Sequence, residues 1–436
     1  MRPPRRHPAG AKQRGAALMV MLVIMVMGIA AVLVSSLSSS ALQIERDKIT
    51  ADALAKAKEA LIGFSTSVNL FSGSARPGDL PCPDTNNDGS ANTPCSGNAI
   101  GRLPWKTLGL SDLRDGNGER LWYAVSANFK NSPRTNCPSP GQAGCLNSDT
   151  VGTITVRSSD GNVIYDATQG TGVAAIIIAP GDVLQRQDGL QQNRSSAGIN
   201  TASNYLDIAN GRDNASFTDN TTNGFIQGRV KDSNGNIIIN DQLLVITQDN
   251  IMQAIQKRIA AEVKQCLNEY ATDPQNNGHY PWAARLDPTN PVSYNDRSNQ
   301  LLGRIPDTFF DSTKNDSIDQ MNNIWGANCN IQYGSWWLNW KEMVFYGLAD
   351  AYKPVWYWWV HPTCPTCLSV NPPSATANRQ FVVLVAGKKL AGQARNNNFD
   401  KGTLSNYLEG GNANGATPFE QMLQPSSTFN DTLAFQ

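Results

Sequence analysis

Apolar residues follow two successive patterns in the first 70 positions. Residues 16–37 contain no charged side chain. A helix rises ~1.5 Å per residue, so this run would be ~33 Å long, enough to cross the core of a bilayer. Apolar residues then recur every three or four positions to about residue 68, which is typical of a helix with one buried face. The pattern predicts one helix over about 16–68 with its first half, 16–37, in a membrane.

A second stripe with helical spacing covers about 249–271 and is not preceded by an uncharged segment. It consists of Ile251, Ile255, Ile259, Val263, Leu267 and Tyr270. Short runs of β-branched and aromatic residues follow each helix, and they favour antiparallel strands laid across it. The expected fold class is therefore α+β.

Six short blocks occur twice in the same order, at an offset of a little over 200 residues, which indicates an internal duplication. The pairs are ALIGFS and CLNEYA (60–65, 266–271), GDLPC and GHYPW (78–82, 278–282), GRLP and GRIP (101–104, 303–306), ERLWYAVSANF and EMVFYGLADAY (119–129, 342–352), IIIAPGDVL and VVLVAGKKL (176–184, 382–390), and NYLD and NYLE (204–207, 406–409). We expect two tandem modules, 38–247 and 248–436, each a helix packed on an antiparallel sheet.

The segment before the apolar run, residues 1–15, carries five basic residues and no acid. By the positive-inside rule the N-terminus stays cytoplasmic and the rest is exported. An ordinary secretory signal has its small-residue cleavage site after the apolar core, whereas Gly15 precedes it here. Gly15, Ala16 and the helix that continues from them resemble the class III signals of type IV prepilins and type II secretion pseudopilins. The resemblance implies that prepilin peptidase cleaves the leader after Gly15 and methylates Ala16.

The fifth residue after that cleavage would be Val20. Most major pilins have glutamate there, so the chain is similar instead to minor pilins and to the K-type pseudopilin, although the duplicated head departs from the latter. The resemblance implies a tip-located subunit of a type IV pilus or type II secretion filament that primes assembly or presents a binding surface. Its partners would be other pilins or pseudopilins and the inner-membrane assembly platform. It would be a single-pass inner-membrane protein with a periplasmic head, reaching the filament or cell surface after assembly.

A different class of protein fits the same apolar pattern. An uncleaved single-span anchor would make the chain a membrane-tethered extracytoplasmic adhesin, or a carbohydrate- or protein-binding protein, that never enters a filament. The two hypotheses differ in whether Gly15 is cleaved and whether the protein co-purifies with sheared filaments.

All eight cysteines follow the apolar run, and an even number in an oxidising compartment predicts disulfide bonds. In the first copy one pair of cysteines brackets the loop 82–95 and another pair brackets the loop 137–145. The duplication places Cys364 and Cys367 of the second copy at the position of the second of these pairs. The remaining two cysteines are left to join each other. The predicted pairs are Cys82–Cys95, Cys137–Cys145, Cys364–Cys367 and Cys266–Cys329.

The segment HPTCPTC has two further interpretations. A redox dithiol should follow a strand and open a helix, but the prolines around Cys364 and Cys367 favour a loop. Zinc needs four ligands, and His361 with the two cysteines supplies three, leaving His279 as the fourth. A structural disulfide is favoured over both.

The loop DTNNDGS places oxygen-bearing side chains at the first, third and fifth positions, as an EF-hand loop does. Asp84, Asn86 and Asp88 are therefore candidate calcium ligands, and similarity to pseudopilin heads, which bind calcium as a family, supports this. The twelfth position is Cys95 instead of glutamate, so an acid from elsewhere, such as Asp79 or Asp112, would complete the site. The alternative is a plain Asx-rich turn.

Seven of the ten tryptophans lie between residues 325 and 359. Aromatic side chains dominate core packing, so burial is the default expectation. The alternative is an exposed surface for adhesion or carbohydrate stacking. Its candidates are Trp336, Trp337, Trp340, Trp356 and Trp358.

Composition excludes several classes of function. The formal net charge is zero and no basic patch is present, so nucleic acid is not expected as a partner. The sequence contains only three histidines and lacks GxSxG, HExxH and Walker motifs. The chain is therefore not expected to be an enzyme.

Overall fold

The computed structural model describes residues 14–70, 72, 76–97, 99–134, 136–216, 224–290, 294–296, 299–309, 325–329, 331, 334–355, 361–365, 367–372, 374–415 and 417–436. The helices are α1 (Arg14–Thr66), α2 (Gln248–Thr272), α3 (Ser335–Trp340) and α4 (Asn398–Lys401). The strands are β1 (Ala99–Arg102), β2 (Trp122–Val125), β3 (Val156–Ser158), β4 (Val163–Tyr165), β5 (Ala175–Ala179), β6 (Ile208–Ala209), β7 (Arg212–Asp213), β8 (Phe225–Gln227), β9 (Val230–Lys231), β10 (Ile237–Ile239), β11 (Gln242–Ile246), β12 (Leu302–Arg304), β13 (Val344–Leu348), β14 (Leu368–Asn371), β15 (Ser374–Arg379), β16 (Phe381–Val385), β17 (Phe419–Glu420) and β18 (Thr432–Phe435).

The start of helix α2 is set by its N-terminal cap, and its buried face is set by its apolar stripe. The Thr247 hydroxyl accepts a hydrogen bond from the Asn250 amide, and the Asn250 side chain accepts one from the Thr247 amide, which makes a capping box. All six residues of the stripe from Ile251 to Tyr270 are buried. The helix bounds agree within one residue with those expected from the sequence.

Two four-stranded antiparallel sheets have the same topology. The first has the order β1-β2-β5-β11 and the second β12-β13-β16-β18. In the first, Trp122 lies opposite Ile178, and in the second, Phe345 lies opposite Leu384. A three-stranded sheet accompanies each, β4-β3-β8 and β15-β14-β17, while β9 with β10 and β6 with β7 form two-stranded sheets. The same order of strands therefore follows α1 and α2.

One apolar core joins the last part of α1, the whole of α2 and both four-stranded sheets. Strand β5 is buried at every position. Its Ile177 faces this core, whereas Ile176 and Ile178 belong to a second cluster with Trp122. Because both faces are covered, β5 is continuously apolar in sequence instead of alternating.

The expected fold class is wrong. The protein is a mixed α/β structure with many small sheets, and the pairings β3–β8 and β14–β17 are parallel. Apart from β15, the strands of the small sheets have two to four residues and are too short to show a period of two, and a parallel pairing joins segments that are far apart in the chain. The sequence pattern therefore did not reveal the small sheets.

The expected transmembrane segment 16–37 and the single-pass inner-membrane placement are also wrong. Over the residues that the structure describes, no helix combines the length and the apolar character needed to cross a bilayer. The expectation rested on a count of uncharged residues, and such a count does not measure the apolarity of a helix in the folded chain.

Candidate functional site

The most unusual surface of the described chain is the early part of α1. Seven consecutive residues there, from Met21 to Met27, are apolar and between 49% and 76% exposed. With ~3.6 residues per turn they make almost two full turns, so every side of this part of the helix is apolar and uncovered. Leu42, Ile44 and Ile49, further along the helix, are also exposed. We call Met21–Met27 the apolar collar.

The last part of the same helix is fixed to the head. Leu54, Ala57 and Leu61 are buried in the main core. Gly116 donates its amide hydrogen to the Thr50 hydroxyl, 2.9 Å away. A Cβ atom on Gly116 would lie only 2.3 Å from the Arg46 carbonyl oxygen, so the loop approaches the helix as closely as a glycine permits. The collar therefore belongs to a helix whose other end cannot leave the head without breaking the core.

The residues expected at the processing site lie in the first turns of α1. The structure describes the backbone of Gly15, Ala16 and Val20 as helical, while their side chains lie outside the description. Residues 1–13 of the expected leader are also outside the described residues. Cleavage after Gly15 stays a prediction.

In the predicted calcium loop the three side chains bond to the loop itself. The Asp84 carboxylate is buried and accepts hydrogen bonds from the amides of Asn86, Asn87 and Gly89 at 2.6–3.1 Å. Asn86 donates to Asp88 at 3.0 Å. Hydrogen bonds, first from the Ser90 amide and then from Asn86, lower the pKa of Asp88. This is the geometry of an Asx-rich turn.

The proposed additional ligands are engaged elsewhere. Asp79 pairs with Arg76 and Arg134, and Asp112 pairs with Arg114 and Arg120. Among the described residues no group of three or more His, Cys, Asp or Glu side chains is arranged to hold a metal ion. Calcium binding stays a prediction.

The eight cysteines form four disulfide bonds, which confirms the prediction that they are oxidised. The bonds are Cys82–Cys95, Cys137–Cys145, Cys266–Cys329 and Cys364–Cys367. The last joins the two cysteines of HPTCPTC, whose thiolates would be needed for zinc. Of the two candidate histidines, His279 is buried with its Nδ1 atom 2.8 Å from the Lys353 carbonyl oxygen, and His361 is exposed.

The tryptophans of the proposed binding surface lie in the interior wherever the structure describes them. Trp336, Trp337 and Trp340 are at most 3% exposed, and the Trp337 indole donates to Asp307 at 3.2 Å. Trp356 and Trp358 are outside the described residues. The three described rings therefore pack in the core and do not form a surface for a ligand.

Sequence reasoning missed a buried acid pair in the first half of the chain. The Asp241 carboxylate accepts hydrogen bonds from the Asp207 amide and the Asn214 side chain, both at 2.9 Å. The Asp207 carboxylate accepts from the Asn240 amide at 2.8 Å and from Gln192 at 2.9 Å. Both acids are at most 1% exposed.

The same arrangement recurs in the second half. Asp431 accepts from the Glu409 amide at 3.1 Å and from Asn412 at 3.0 Å. Glu409 accepts from the Asn430 amide at 2.9 Å and from Gln393 at 2.8 Å. The blocks NYLD and NYLE, together with the dipeptide Asn-Asp at 240–241 and 430–431, were the signal in the sequence.

Burial decides the protonation of these pairs. It raises the pKa of Asp207 to about 6. It also raises the pKa of Asp241 well above its usual range, and the nearby Asp207 charge adds to the effect. The pKa of Asp431 is raised in the same way, by burial and then by the charge of Glu409. Two adjacent buried carboxyls cannot both ionise cheaply, so the raised pKa values of Asp241 and Asp431 favour the protonated form of one acid in each pair.

Comparisons with protein-family models, with curated proteins and with solved structures find no match for this chain.

Proposed function

We propose that this chain is a minor pilin or pseudopilin subunit of a type IV pilus or type II secretion filament, and that the apolar collar is the part that other subunits cover. The collar itself carries the proposal. Exposed apolar patches of this kind mark interaction sites, and a helix that is apolar on all sides is stable in water only when it is buried.

The shape of the collar favours a partner made of helices. A flat protein surface would cover one side of a helix and leave the others exposed, whereas a bundle of similar helices covers all of them. Burying an aliphatic side chain contributes ~1.5–3 kcal/mol, so the seven residues together supply on the order of 10 kcal/mol. Association costs ~4–15 kcal/mol, so the collar is large enough to drive assembly together with neighbouring parts of α1. In this proposal the collar is buried by the helices of other subunits and not by lipid.

The size of the head favours a subunit present in few copies. Two modules follow one helix, so the head occupies more space than a single module would in a closely packed filament. Val20 places no carboxylate where a major pilin has one. We therefore propose a position at the tip, where the subunit primes assembly, with other pilins or pseudopilins and the assembly platform as partners and prepilin peptidase cleaving between Gly15 and Ala16.

The first experiment changes the collar and measures incorporation. In Met25→Asp a charge replaces a side chain that is 68% exposed. The matched control is Leu423→Asp, which makes the same kind of change at a head residue that is 80% exposed. We expect Met25→Asp to lower the amount that co-sediments with sheared filaments at least tenfold and Leu423→Asp to leave it unchanged. Equal incorporation of both variants contradicts the proposal.

A second measurement tests processing separately. The N-terminal mass is determined in cells with and without prepilin peptidase. A methylated Ala16 terminus that depends on the peptidase supports the proposal. An unprocessed Gly15–Ala16 bond in both strains contradicts membership in this class.

A further inference from the structure

Four arginines line a hollow of about 370 Å³ on the first half of the head. The lining includes Arg102, Arg114, Arg120, Arg194, Glu119 and Tyr205. A hollow of this size holds a molecule as large as a monosaccharide. We call it the arginine hollow.

The positive charges in the arginine hollow exceed their partners. Asp112 bonds to Arg114 at 2.7 Å and to Arg120 at 2.8 Å. Glu119 lies 3.3 Å from Arg194. Arg102 forms no ion pair with any acid in the described part of the chain. Four guanidinium groups are therefore balanced by two carboxylates.

Arg102 is the buried member of this group. It is 4% exposed, and its guanidinium carbon lies 4.7 Å from the centre of the Trp122 ring and 4.2 Å from that of Tyr205. Its two terminal nitrogens donate to backbone carbonyls, those of Arg120 at 3.3 Å and Ile199 at 2.9 Å. Its Nε atom has no hydrogen-bond partner among the described residues. Burial lowers the pKa of Arg102, and Tyr205 and Glu119 oppose this lowering. Because an arginine stays charged, the wall of the hollow carries a buried cation that forms no ion pair within the described residues.

The second half contains the same stacked arginine in a different setting. Arg304 has the equivalent place, 4.4 Å from the Phe345 ring and 4.5 Å from the Tyr407 ring. It donates to the Lys401 carbonyl oxygen as Arg102 does to that of Ile199. There the Lys401 amine pairs with Glu342 at 3.2 Å, and Glu342 also accepts from the Tyr407 hydroxyl. The first half has Ile199 in place of this lysine, and Ile199 lines the hollow.

We propose that the arginine hollow binds a small oxyanion, with a carboxylate or phosphate group held by Arg102, Arg120 and Arg194. Guanidinium groups suit planar carboxylates and phosphates because they present paired donors. The site is separate from the apolar collar, since its residues belong to β1 and to the loops before β1, between β1 and β2, and between β5 and β6, and not to α1.

The test measures binding to the full chain by titration calorimetry. The probes are glucuronate, its neutral counterpart glucose, and inorganic phosphate. We expect glucuronate to bind at least tenfold more tightly than glucose and to weaken as salt is added, because part of the site is exposed. Binding of phosphate without glucuronate also supports the site and identifies the inorganic ion as its ligand. Equal affinity for glucose and glucuronate, or no binding of either anion, overturns the proposal.

Variants assign the binding to this hollow. Arg120→Gln removes a lining charge, and Arg114→Gln does so at a side chain that is 48% exposed, where folding is least at risk. The control, Arg285→Gln, removes an exposed arginine outside the hollow. We expect Arg120→Gln to weaken anion binding at least tenfold, Arg114→Gln to weaken it by a smaller factor, and the control to have no effect. Unchanged affinity in both hollow variants, with circular dichroism like that of the wild type, places the binding elsewhere and overturns the proposal.

Discussion

Replacing Asp241 by asparagine tests the protonation of the buried acid pairs. The Asp241 Oδ2 atom accepts two hydrogen bonds, from the Asp207 amide and from Asn214, while its Oδ1 atom has no partner among the described residues. In the variant, the asparagine side-chain oxygen can accept the two hydrogen bonds that Oδ2 accepts in the wild type. The NH₂ group then occupies the place of a protonated Oδ1. The Asp241→Asn variant is thus a permanent copy of the protonated acid.

The direction of the pH effect follows from the raised pKa values. A group whose pKa is raised on folding contributes stability that is complete below its unfolded pKa and is lost as the pH rises through its folded pKa. The pKa of Asp207 rises from 3.8 to about 6, which corresponds to ~3 kcal/mol at ~1.4 kcal/mol per unit. The free energy of unfolding therefore falls by ~3 kcal/mol through Asp207 alone between pH 4 and a pH above 6. The charge of Arg194 opposes this for both acids but is outweighed by burial.

Asp241 adds a second proton to this balance. Burial and the Asp207 charge raise its pKa, so the folded chain keeps this proton to a higher pH than the unfolded chain does. Over that range stability falls by ~1.4 kcal/mol per pH unit. We expect Asp241→Asn to remove this cost and to be more stable than the wild type at pH 7, with the difference shrinking towards pH 4.

The assay is thermal and urea unfolding of both proteins at half-unit steps from pH 4 to pH 8. Asp160→Asn, at an exposed acid outside the pair, is the control and should follow the wild type throughout. The reasoning is refuted if the difference between Asp241→Asn and the wild type does not grow with pH, or if the variant is the less stable protein at pH 7.

Three further predictions concern the Cys266–Cys329 bond, the packing of the Gly116 loop against α1, and the calcium loop. Replacing Cys266 and Cys329 together by alanine should lower stability by ~2–5 kcal/mol because the bond closes a loop with a sequence separation of 63, and unchanged urea unfolding would contradict this. Gly116→Ala should speed hydrogen exchange in α1, because the new Cβ atom would overlap the backbone of the helix. Gly63→Ala, at a position on α1 with open space around it, should instead raise the free energy of unfolding by up to ~1 kcal/mol. Calcium should raise the melting temperature of the wild type and not of Asp88→Ala; a wild-type melting temperature that is the same in calcium and in chelator would contradict a calcium site.

Local sequence signals were sufficient where the structure depends on neighbours in the chain. The apolar stripe and the cap at Thr247 determine the start and the buried face of α2. The disulfide bonds within 82–95 and 137–145 join cysteines on either side of short loops. The continuous apolar run 175–179 marked a strand that is covered on both faces. In each case the deciding contacts lie within one helix, one loop or one strand.

Other features depend on contacts that no local pattern records. Asp207 and Asp241 look like ordinary polar loop residues, and only the fold brings them together, out of water, so that their pKa values rise. In the sequence Arg102 is one basic residue in a strand, but the fold stacks it between Trp122 and Tyr205, where it forms no ion pair within the described residues. The chain by itself determined its two long helices, the buried strand 175–179 and the disulfide bonds across short loops, because short-range periodicity and loop closure control them. The tertiary structure alone decided which charges are buried and left unbalanced, because desolvation depends on what the rest of the chain places around them.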